Sequence, residues 1–286
     1  MSEMPALPTI HVISDSMGNT AKTIARSAAS HFGELDPNIT VFAQVRSFEQ
    51  IQAFLEKEQR IHRKMYGDDR IIVFYTLVIQ ELKDALEAYL VDHPNIHAVD
   101  VLSDSIAAIE RVSGKTHNPI PGEQHKMNDQ YFQRIEAIEF TVNHDDGLLT
   151  QDLPEADIVI LGVSRTSKTP TSIYLGQQGY KVANVPLVEG LELPKEVYDV
   201  DRERLFGLIT DPSVLVGVRK TRMSAQLGEQ SKYSDIDAVT MELNRARTIM
   251  RGLGCVIINT KDRAIEETAQ EILRHYNAAF PRIPIL

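Results

Sequence analysis

A short apolar strand, a compact polar loop and a helix follow one another between residues 157 and 178. The predicted strand covers residues 157–161, and the helix begins near Pro170. The loop between them consists of Gly162, Val163, Ser164, Arg165, Thr166, Ser167, Lys168 and Thr169. A loop that leaves a parallel strand turns its backbone N–H groups inward, and the following helix N-terminus adds partial positive charge. The sequence therefore predicts a phosphate-binding element.

Three side chains of this loop suit specific roles around a phosphate. Lys168 is predicted to reach the outer phosphates of a nucleotide, and the Thr169 hydroxyl is predicted to bind Mg²⁺. Arg165 adds a second cation, whose planar guanidinium favours bidentate contact with a transferring phosphate. The alternative for Arg165 is a solvated arginine that pairs with a nearby acid.

Ser167 departs from the usual P-loop pattern, in which a glycine precedes the lysine. Its Cβ restricts the backbone at positive φ, which weakens the match. Pro170 supports the element, because a missing N–H costs little in the first turn of a helix. The alternative is an ordinary strand-to-helix turn with a surface lysine.

Apolar segments alternate with segments of helical spacing along the whole chain. The predicted strands are residues 9–13, 39–45, 70–75, 97–102, 157–161, 181–185, 204–209 and 255–259. Helices are predicted at residues 21–32, 48–61, 103–111, 128–142, 235–251 and 262–276, with another that ends at residue 90. Such alternation indicates parallel pairing. We therefore expect an α/β fold of two layers with mainly parallel strands.

The segment from Ser113 to Gln124 contains two glycines and two prolines, which favour a long loop. It suggests an N-terminal α/β domain at residues 1–112, a linker or long loop at 113–127, and a second α/β domain at 128–286. The second domain would be a P-loop, kinase-like nucleotide-binding domain, since the predicted phosphate loop follows its first strand.

Composition excludes several classes of protein. Of the 286 residues, 43% are hydrophobic and 24% are charged, as in ordinary globular proteins. The formal net charge of -10 argues against nonspecific nucleic-acid binding. No apolar run is long enough to span a membrane, and residues 1–8 lack a secretory signal, so a cytoplasmic location is expected. The single cysteine, Cys255, precedes a predicted strand and is expected to be buried and inert.

Asp145 and Asp146 form a pair of carboxylates between a helix end and Gly147. One acid could orient a hydroxyl or hold Mg²⁺ while the other tunes its pKa. Charged pairs before glycine are also common in solvated turns, and the residues alone favour that alternative.

The sequence allows more than one role for several other polar residues. Ser14, Asp15 and Ser16 follow the first strand, where open α/β sheets bind ligands, but capping of the next helix by Asn19 or Thr20 would explain the polarity equally well. His125 could contact an anion or simply be exposed. Basic residues of the second half are interspersed with acids. They could face a phosphorylated partner, but most are expected to form a solvated, mixed-charge face. They are Arg202, Arg204, Arg219, Lys220 and Arg222.

Several segments together resemble one family. They are residues 13–16 with Gly18, 131–132, 134–140, 144–147, 162–170, 181–188, 207–208, 211–212 and 265–269. The chain resembles the pyruvate, phosphate dikinase regulatory proteins, with the phosphoenolpyruvate synthase regulatory proteins as a sister group. Ser167 resembles the dikinase branch, because the synthase branch carries Cys-Gly before the lysine.

The resemblance implies a bifunctional enzyme whose partner is the dikinase. It would use ADP to phosphorylate a threonine of that target, and inorganic phosphate to remove the group with release of pyrophosphate. Residues 162–169 would bind ADP with Mg²⁺, Lys168 and Arg165 would neutralise charge, and Asp145 or Asp146 would become the candidate acid. The loop that contains Ser14, Asp15 and Ser16 would belong to the active site or to a homodimer interface.

Three alternatives remain open beside this interpretation. The chain could regulate phosphoenolpyruvate synthase by the same chemistry, or it could be an ATP-dependent small-molecule kinase. It could also be a noncatalytic nucleotide sensor that binds a partner protein.

Overall fold

The computed structural model describes residues 7–122, 129–223 and 234–281. By its internal contacts the chain divides into two compact units, residues 1–126 and 127–286. Each unit is built around one four-stranded sheet in which every neighbouring pair of strands is parallel. The α/β fold with parallel strands predicted from the sequence is therefore confirmed.

The first unit alternates strands and helices throughout. Its strands are β1 (Ile10–Ser14), β2 (Ile39–Phe42), β3 (Ile71–Thr76) and β4 (Ile96–Asp100), in the order β2-β1-β3-β4. Its helices are α1 (Asn19–Ser30), α2 (Phe48–Tyr66), α3 (Gln80–Val91) and α4 (Ser103–Ser113). The strand that comes first in the sequence thus lies inside the sheet, between the second and third.

The second unit repeats this arrangement. Its strands are β5 (Ile158–Gly162), β6 (Val182–Pro186), β7 (Leu205–Ile209) and β8 (Val256–Asn259), in the order β6-β5-β7-β8. Its α-helices are α5 (Asp129–Asn143), α6 (Lys168–Gln177), α7 (Pro212–Met223), α8 (Ile236–Gly252) and α9 (Ile265–Ala279). Short 3-10 helices lie at Thr150–Glu155, Lys195–Asp199 and Arg202–Arg204.

Burial on both faces explains why β5 is a continuous apolar run rather than an alternating one. Val159 and Leu161 pack in a core that includes residues of α8, whereas Ile158 and Ile160 pack in a core that includes residues of α9. All five residues of β5 are buried. A central strand covered on both faces holds its carboxyl end in a fixed position, and the predicted phosphate loop leaves from that end.

Helix starts differ from the sequence-based expectations. Asn19 and Thr20 do not cap α1 but are its first two residues, after Gly18 in the left-handed conformation. The expected capping residues of α1 therefore lie one and two positions inside the helix. Helix α4 begins at Ser103, and the carboxylate of Asp100 accepts hydrogen bonds from the backbone N–H groups of Leu102 and Ser103.

The buried face of α5 differs from the face that its apolar spacing predicts, which contains Tyr131, Ile135, Ile138 and Val142. Ile135 and Val142 are exposed, whereas Ala137 and Thr141 are buried. Thr141 Oγ1 donates to the Ala137 carbonyl within the helix and accepts from the backbone N–H of Val182 on β6. A small residue and a hydroxyl therefore form the packed face. In the part of the chain that the structure describes, no helix is both long and apolar enough to cross a membrane.

Two buried histidines, one on β1 and one on α2, lie next to each other in the first unit. His11 on β1 has 0% of its surface exposed, and its Nε2 lies 3.0 Å from Nε2 of His62 on α2. Burial, with a smaller contribution from His62, lowers the pKa of His11 to about 4 from its ordinary value of 6.5. Between pH 4 and pH 6.5, His11 is therefore neutral in the folded protein, whereas the same histidine in an unfolded chain is protonated.

We expect His11 to lower the free energy of unfolding of the first unit by about 3 kcal/mol as the pH falls from 6.5 to 4. As pH falls through this window the unfolded chain takes up a proton that folded His11 refuses, so stability is lost. Urea unfolding followed by far-ultraviolet circular dichroism at several pH values measures the effect. His11→Gln should remove this part of the slope, and His97→Gln, at an exposed position of β4, should keep it. An unchanged slope in His11→Gln would contradict the assignment.

Candidate functional site

The loop from Gly162 to Thr169 leaves the carboxyl end of β5 and passes directly into α6. Gly162 is confined between two neighbours: a Cβ on it would lie 2.6 Å from Thr166 Oγ1 and 2.8 Å from the Leu208 carbonyl oxygen. Its own carbonyl accepts from the backbone N–H of Leu187 at 2.9 Å. Any side chain here would clash, so the start of the loop lies directly against Thr166 and β7.

Two residues of the loop adopt left-handed backbone conformations. Arg165 has φ 75°, and Ser167, the residue before α6, has φ 66° and ψ 22°. The sequence suggested that a serine at this position would resist positive φ, yet Ser167 adopts it. Left-handed residues within a turn direct backbone N–H groups to one side and create concavities suited to anions.

Lys168 is buried, with 6% of its surface exposed, which contradicts the alternative of a surface lysine. Its Nζ donates to the Val163 carbonyl at 3.2 Å, within the loop itself. Burial lowers the pKa of the Lys168 ammonium, Asp146 and Asp145 act in the opposite direction, and the cations Arg165 and Arg219 add to the lowering. An additional anion next to this ammonium would stabilise its charged form against the effect of burial.

An open cleft of about 820 Å³ lies over this loop. Its polar lining comes from Asp145, Asp146, Ser164, Arg165, Ser167, Lys168 and Thr169. Pro170, Pro186, Val188 and Val218 supply the apolar part. The structure therefore brings both aspartates predicted from the sequence to the same cleft as the loop.

Asp145 is fixed by side chains from two other elements. Thr169 Oγ1 donates to Asp145 Oδ1 at 2.9 Å, and Asn184 Nδ2 donates to the same oxygen. Asn184 lies on β6 with 1% of its surface exposed, and its Oδ1 accepts from the backbone N–H of Asp146 at 3.0 Å. A freely solvated turn is therefore wrong for Asp145. Sequence analysis did not assign Asn184 a role, because its partners lie 39 and 38 positions away.

Asp146 differs from its neighbour. Its backbone is held in a left-handed conformation with φ 50°, but its side chain is exposed in the cleft. Among the residues that the structure describes, none donates a hydrogen bond to its carboxylate. The two acids thus have distinct environments: Asp145 is anchored, and Asp146 is open to a ligand.

Arg219 on α7 connects the loop to α8. It is buried, it binds both carboxylate oxygens of Glu242 on α8, at 2.7 and 3.1 Å, and its Nη2 donates to the Ser164 carbonyl at 3.1 Å. The expectation of a solvated face was therefore wrong for this residue, whereas Arg202 and Lys220 are exposed. The side chain of Arg222 lies outside the described residues.

The remaining predicted site residues lie elsewhere. Ser14, Asp15 and Ser16 belong to the first unit and line a cavity there. His125 lies outside the described residues. Within the described ranges no group of three or more His, Cys, Asp or Glu side chains is placed to hold a metal. Cys255 was expected to be buried but is only half-buried, and burial raises the pKa of its thiol to about 11.

We expect Ser167→Gly to raise the free energy of unfolding by up to about 1 kcal/mol, because glycine adopts the left-handed conformation without a steric cost. Ser27→Gly, at an exposed position inside α1, is the matched control and should lower it by about 0.5 kcal/mol. Urea unfolding of both variants measures the difference. Equal destabilisation by the two substitutions would show that Ser167 carries no backbone strain.

The family described as kinase/pyrophosphorylase matches residues 10–273. A candidate pyruvate, phosphate dikinase regulatory protein of Ligilactobacillus salivarius is 39% identical over 269 residues, which cover 94% of this chain and 96% of that protein. Similar proteins of Lactobacillus helveticus and Enterococcus faecalis are each 38% identical, covering 93% and 94% of this chain and 93% and 95% of their own lengths.

These matches span both units, and they confirm the resemblance inferred from the sequence. The protein therefore belongs to the kinase/pyrophosphorylase family, among relatives named as regulators of pyruvate, phosphate dikinase.

Proposed function

We propose that this protein regulates pyruvate, phosphate dikinase by transferring a phosphoryl group to and from one of its threonines. ADP is the donor for phosphorylation, and inorganic phosphate removes the group as pyrophosphate. The observation that carries the proposal is the arrangement around α6: Lys168 and Thr169 begin this helix, and both aspartates face the same cleft. The similarity to named regulators of the dikinase supports the choice of partner.

The phosphates of ADP would bind to the loop from Gly162 to Thr169. Its left-handed residues and the N-terminus of α6 offer backbone N–H groups, and this suits negative charge. Lys168 would exchange its hydrogen bond to the Val163 carbonyl for one to a phosphate oxygen. Arg165, which lines the cleft, would neutralise charge on the transferring group.

Asp145 and Thr169 fit a magnesium site, because a carboxylate and a hydroxyl that already contact each other supply the hard oxygen ligands that Mg²⁺ prefers. Few protein ligands are needed, since Mg²⁺ in nucleotide sites takes its other ligands from phosphates and water. When bound, the ion neutralises charge on the phosphate oxygens. Asn184 would keep the Asp145 carboxylate in place as a positioning residue.

Asp146 is the better candidate for acid and base catalysis, because its carboxylate is exposed in the cleft and is not engaged by the described residues. In the kinase direction, the threonine oxygen attacks the β-phosphorus of ADP, the bond to the α-phosphate breaks, and AMP leaves. Asp146 takes the hydroxyl proton. In dephosphorylation, an oxygen of inorganic phosphate attacks the phosphothreonine phosphorus, and the bond between that phosphorus and the threonine oxygen breaks. Pyrophosphate leaves, and Asp146 returns a proton to the threonine oxygen.

Removal of the Lys168 charge should weaken ADP binding on the order of 10- to 100-fold, because a charge-assisted hydrogen bond in a buried setting is lost. Lys168→Met tests this by isothermal titration calorimetry, with Lys195→Met, an exposed lysine of the same unit, as the control. Unchanged affinity in Lys168→Met would refute a phosphate role for the loop.

Asp146→Asn should slow both directions of transfer by roughly 10²- to 10⁴-fold while ADP still binds, because a general acid and base contributes about that much. Asp145→Asn should instead raise the Mg²⁺ concentration required for half-maximal rate. AMP and pyrophosphate release measure the two directions, and Asp199→Asn is an exposed control. A full rate in Asp146→Asn would assign the proton transfer to another group.

The partner is tested with ADP and the phosphohistidine form of the dikinase, in which AMP and a phosphothreonine should appear together. Phosphoenolpyruvate synthase serves as the parallel target, and a metabolite screen with ATP tests a small-molecule kinase. ADP binding without transfer to any of these would identify a nucleotide sensor instead.

A further inference from the structure

Arg219, on α7, has the largest fully buried side chain in the part of the chain that the structure describes. Its guanidinium binds both carboxylate oxygens of Glu242 on α8 and donates to the Ser164 carbonyl at 3.1 Å. A buried arginine in an ion pair is a poor device for stability, because two apolar side chains of similar volume often stabilise a fold equally well or better. The pair is therefore better explained by its contact with the loop from Gly162 to Thr169 than by stability.

This contact fixes the direction of the peptide group between Ser164 and Arg165. The peptide bond is trans, so its carbonyl and its N–H point in opposite directions. The carbonyl points to Arg219, which is not among the described residues that line the cleft, whereas Ser164 and Arg165 both line it. The N–H of Arg165 is thus directed away from Arg219, and none of the described residues accepts a hydrogen bond from it.

The observed direction of this peptide group is not the one that Arg165 would prefer by itself. Its φ of 75° lies in the left-handed region, which is unfavourable for a residue with a Cβ. Rotation of the peptide group by about half a turn would bring this φ to a negative value, which such residues prefer. The same rotation would direct the Ser164 carbonyl oxygen to where the N–H now points.

Arg219 opposes this rotation. If the peptide group rotated, the Ser164 carbonyl would lose its hydrogen bond, and a buried N–H of the guanidinium would lose its acceptor. A buried donor without an acceptor is costly, and more so when the donor is charged. Glu242 adds to the effect, because it binds two nitrogens of the guanidinium and so fixes the plane of that group.

We propose that Arg219 and Glu242 are positioning residues for phosphate binding at this loop. Glu242 holds the guanidinium, the guanidinium holds the Ser164 carbonyl, and the Arg165 N–H is thereby directed at a bound phosphate. The role differs from neutralisation of the ligand by charge, because the charge of Arg219 is paired with Glu242 and its side chain is buried. The inference rests on the proposed binding of the phosphates of ADP to this loop.

The double variant Arg219→Met, Glu242→Leu tests the proposal, because it removes the contact and leaves neither charge unpaired. Urea unfolding should show a stability equal to or higher than that of the wild type. Isothermal titration calorimetry should show ADP affinity reduced roughly tenfold, since one hydrogen bond to a charged phosphate is lost. Arg274→Met with Glu271→Leu, which removes an ion pair within α9, is the matched control and should leave ADP affinity unchanged.

The backbone amide of Arg165 provides a readout that a merely structural role would not change. In the isotopically labelled full-length chain, ADP should shift this amide proton downfield, because a hydrogen bond to a phosphate oxygen deshields it. The double variant at saturating ADP should lose this shift. The amide of Thr169, in the first turn of α6, should still shift, which would show that the nucleotide remains bound.

Arg219→Lys separates positioning from charge, and it also serves as the test if the double variant does not fold. Lysine keeps the positive charge beside Glu242 but lacks the planar fork that binds a carboxylate and a carbonyl together. We expect ADP binding to weaken severalfold and the shift of the Arg165 amide to decrease. Wild-type affinity in Arg219→Lys would assign the role to charge and overturn the proposal.

Two further outcomes distinguish this inference from the proposed function. Equal ADP affinity and an equal shift of the Arg165 amide in the wild type and the double variant would overturn the inference alone. Absence of ADP binding to the wild-type chain would overturn the proposed function and the inference with it.

Discussion

The buried ammonium of Lys168 is the constraint around which the second unit is arranged. A lysine is almost never this buried unless it is paired, and here one backbone carbonyl is the hydrogen-bond acceptor in the described structure. Two aspartates oppose the loss of charge that burial favours. The phosphate proposed above would engage this ammonium. The left-handed residues of the loop, Arg165 and Ser167, carry a conformational cost of the kind that functional loops tolerate.

Contacts with neighbouring elements offset the conformational cost of the left-handed residues in the loop. Gly162 admits no Cβ, and Arg219 joins the Ser164 carbonyl to Glu242 on α8. Thr169, Asp145 and Asn184 connect α6, the end of α5 and β6 through hydrogen bonds. The loop conformation is therefore determined by contacts with neighbouring elements, and a serine in place of a glycine is held at positive φ by them.

The two sheets share one strand order, and each has a polar loop after its central first strand. The chemistry of the two loops differs. The loop after β5 adds a buried lysine and an arginine, which suits a polyphosphate whose charge must be neutralised. Among the described residues that line the cavity at the loop after β1, Asp15 is the one charged residue, and no lysine or arginine is present.

The sequence was sufficient for local features but not for contacts between distant residues. Apolar runs and helical spacing predicted the strands and the α/β class, because the burial of each element determines its period. Helix α7 was missed, since Gly217 interrupts a short helix, although Pro212 at its first position is a typical start signal. The roles of Asp145 and Arg219 depend on Asn184 and Glu242, and no local pattern connects them.

The same limit explains why the sequence could not separate the two aspartates. Adjacent residues of one type look alike in a pattern, but the turn directs their side chains differently, and Asn184 binds one carboxylate and the backbone N–H of the other. An anchored carboxylate suits a metal, because its oxygens hold a fixed direction. An unengaged carboxylate is free to exchange a proton with a ligand in the cleft, and this is the ground on which Asp146 is proposed above as the acid and base. In that proposal the addition and the removal of the phosphoryl group are two different reactions, and they share the proton exchange at the threonine oxygen.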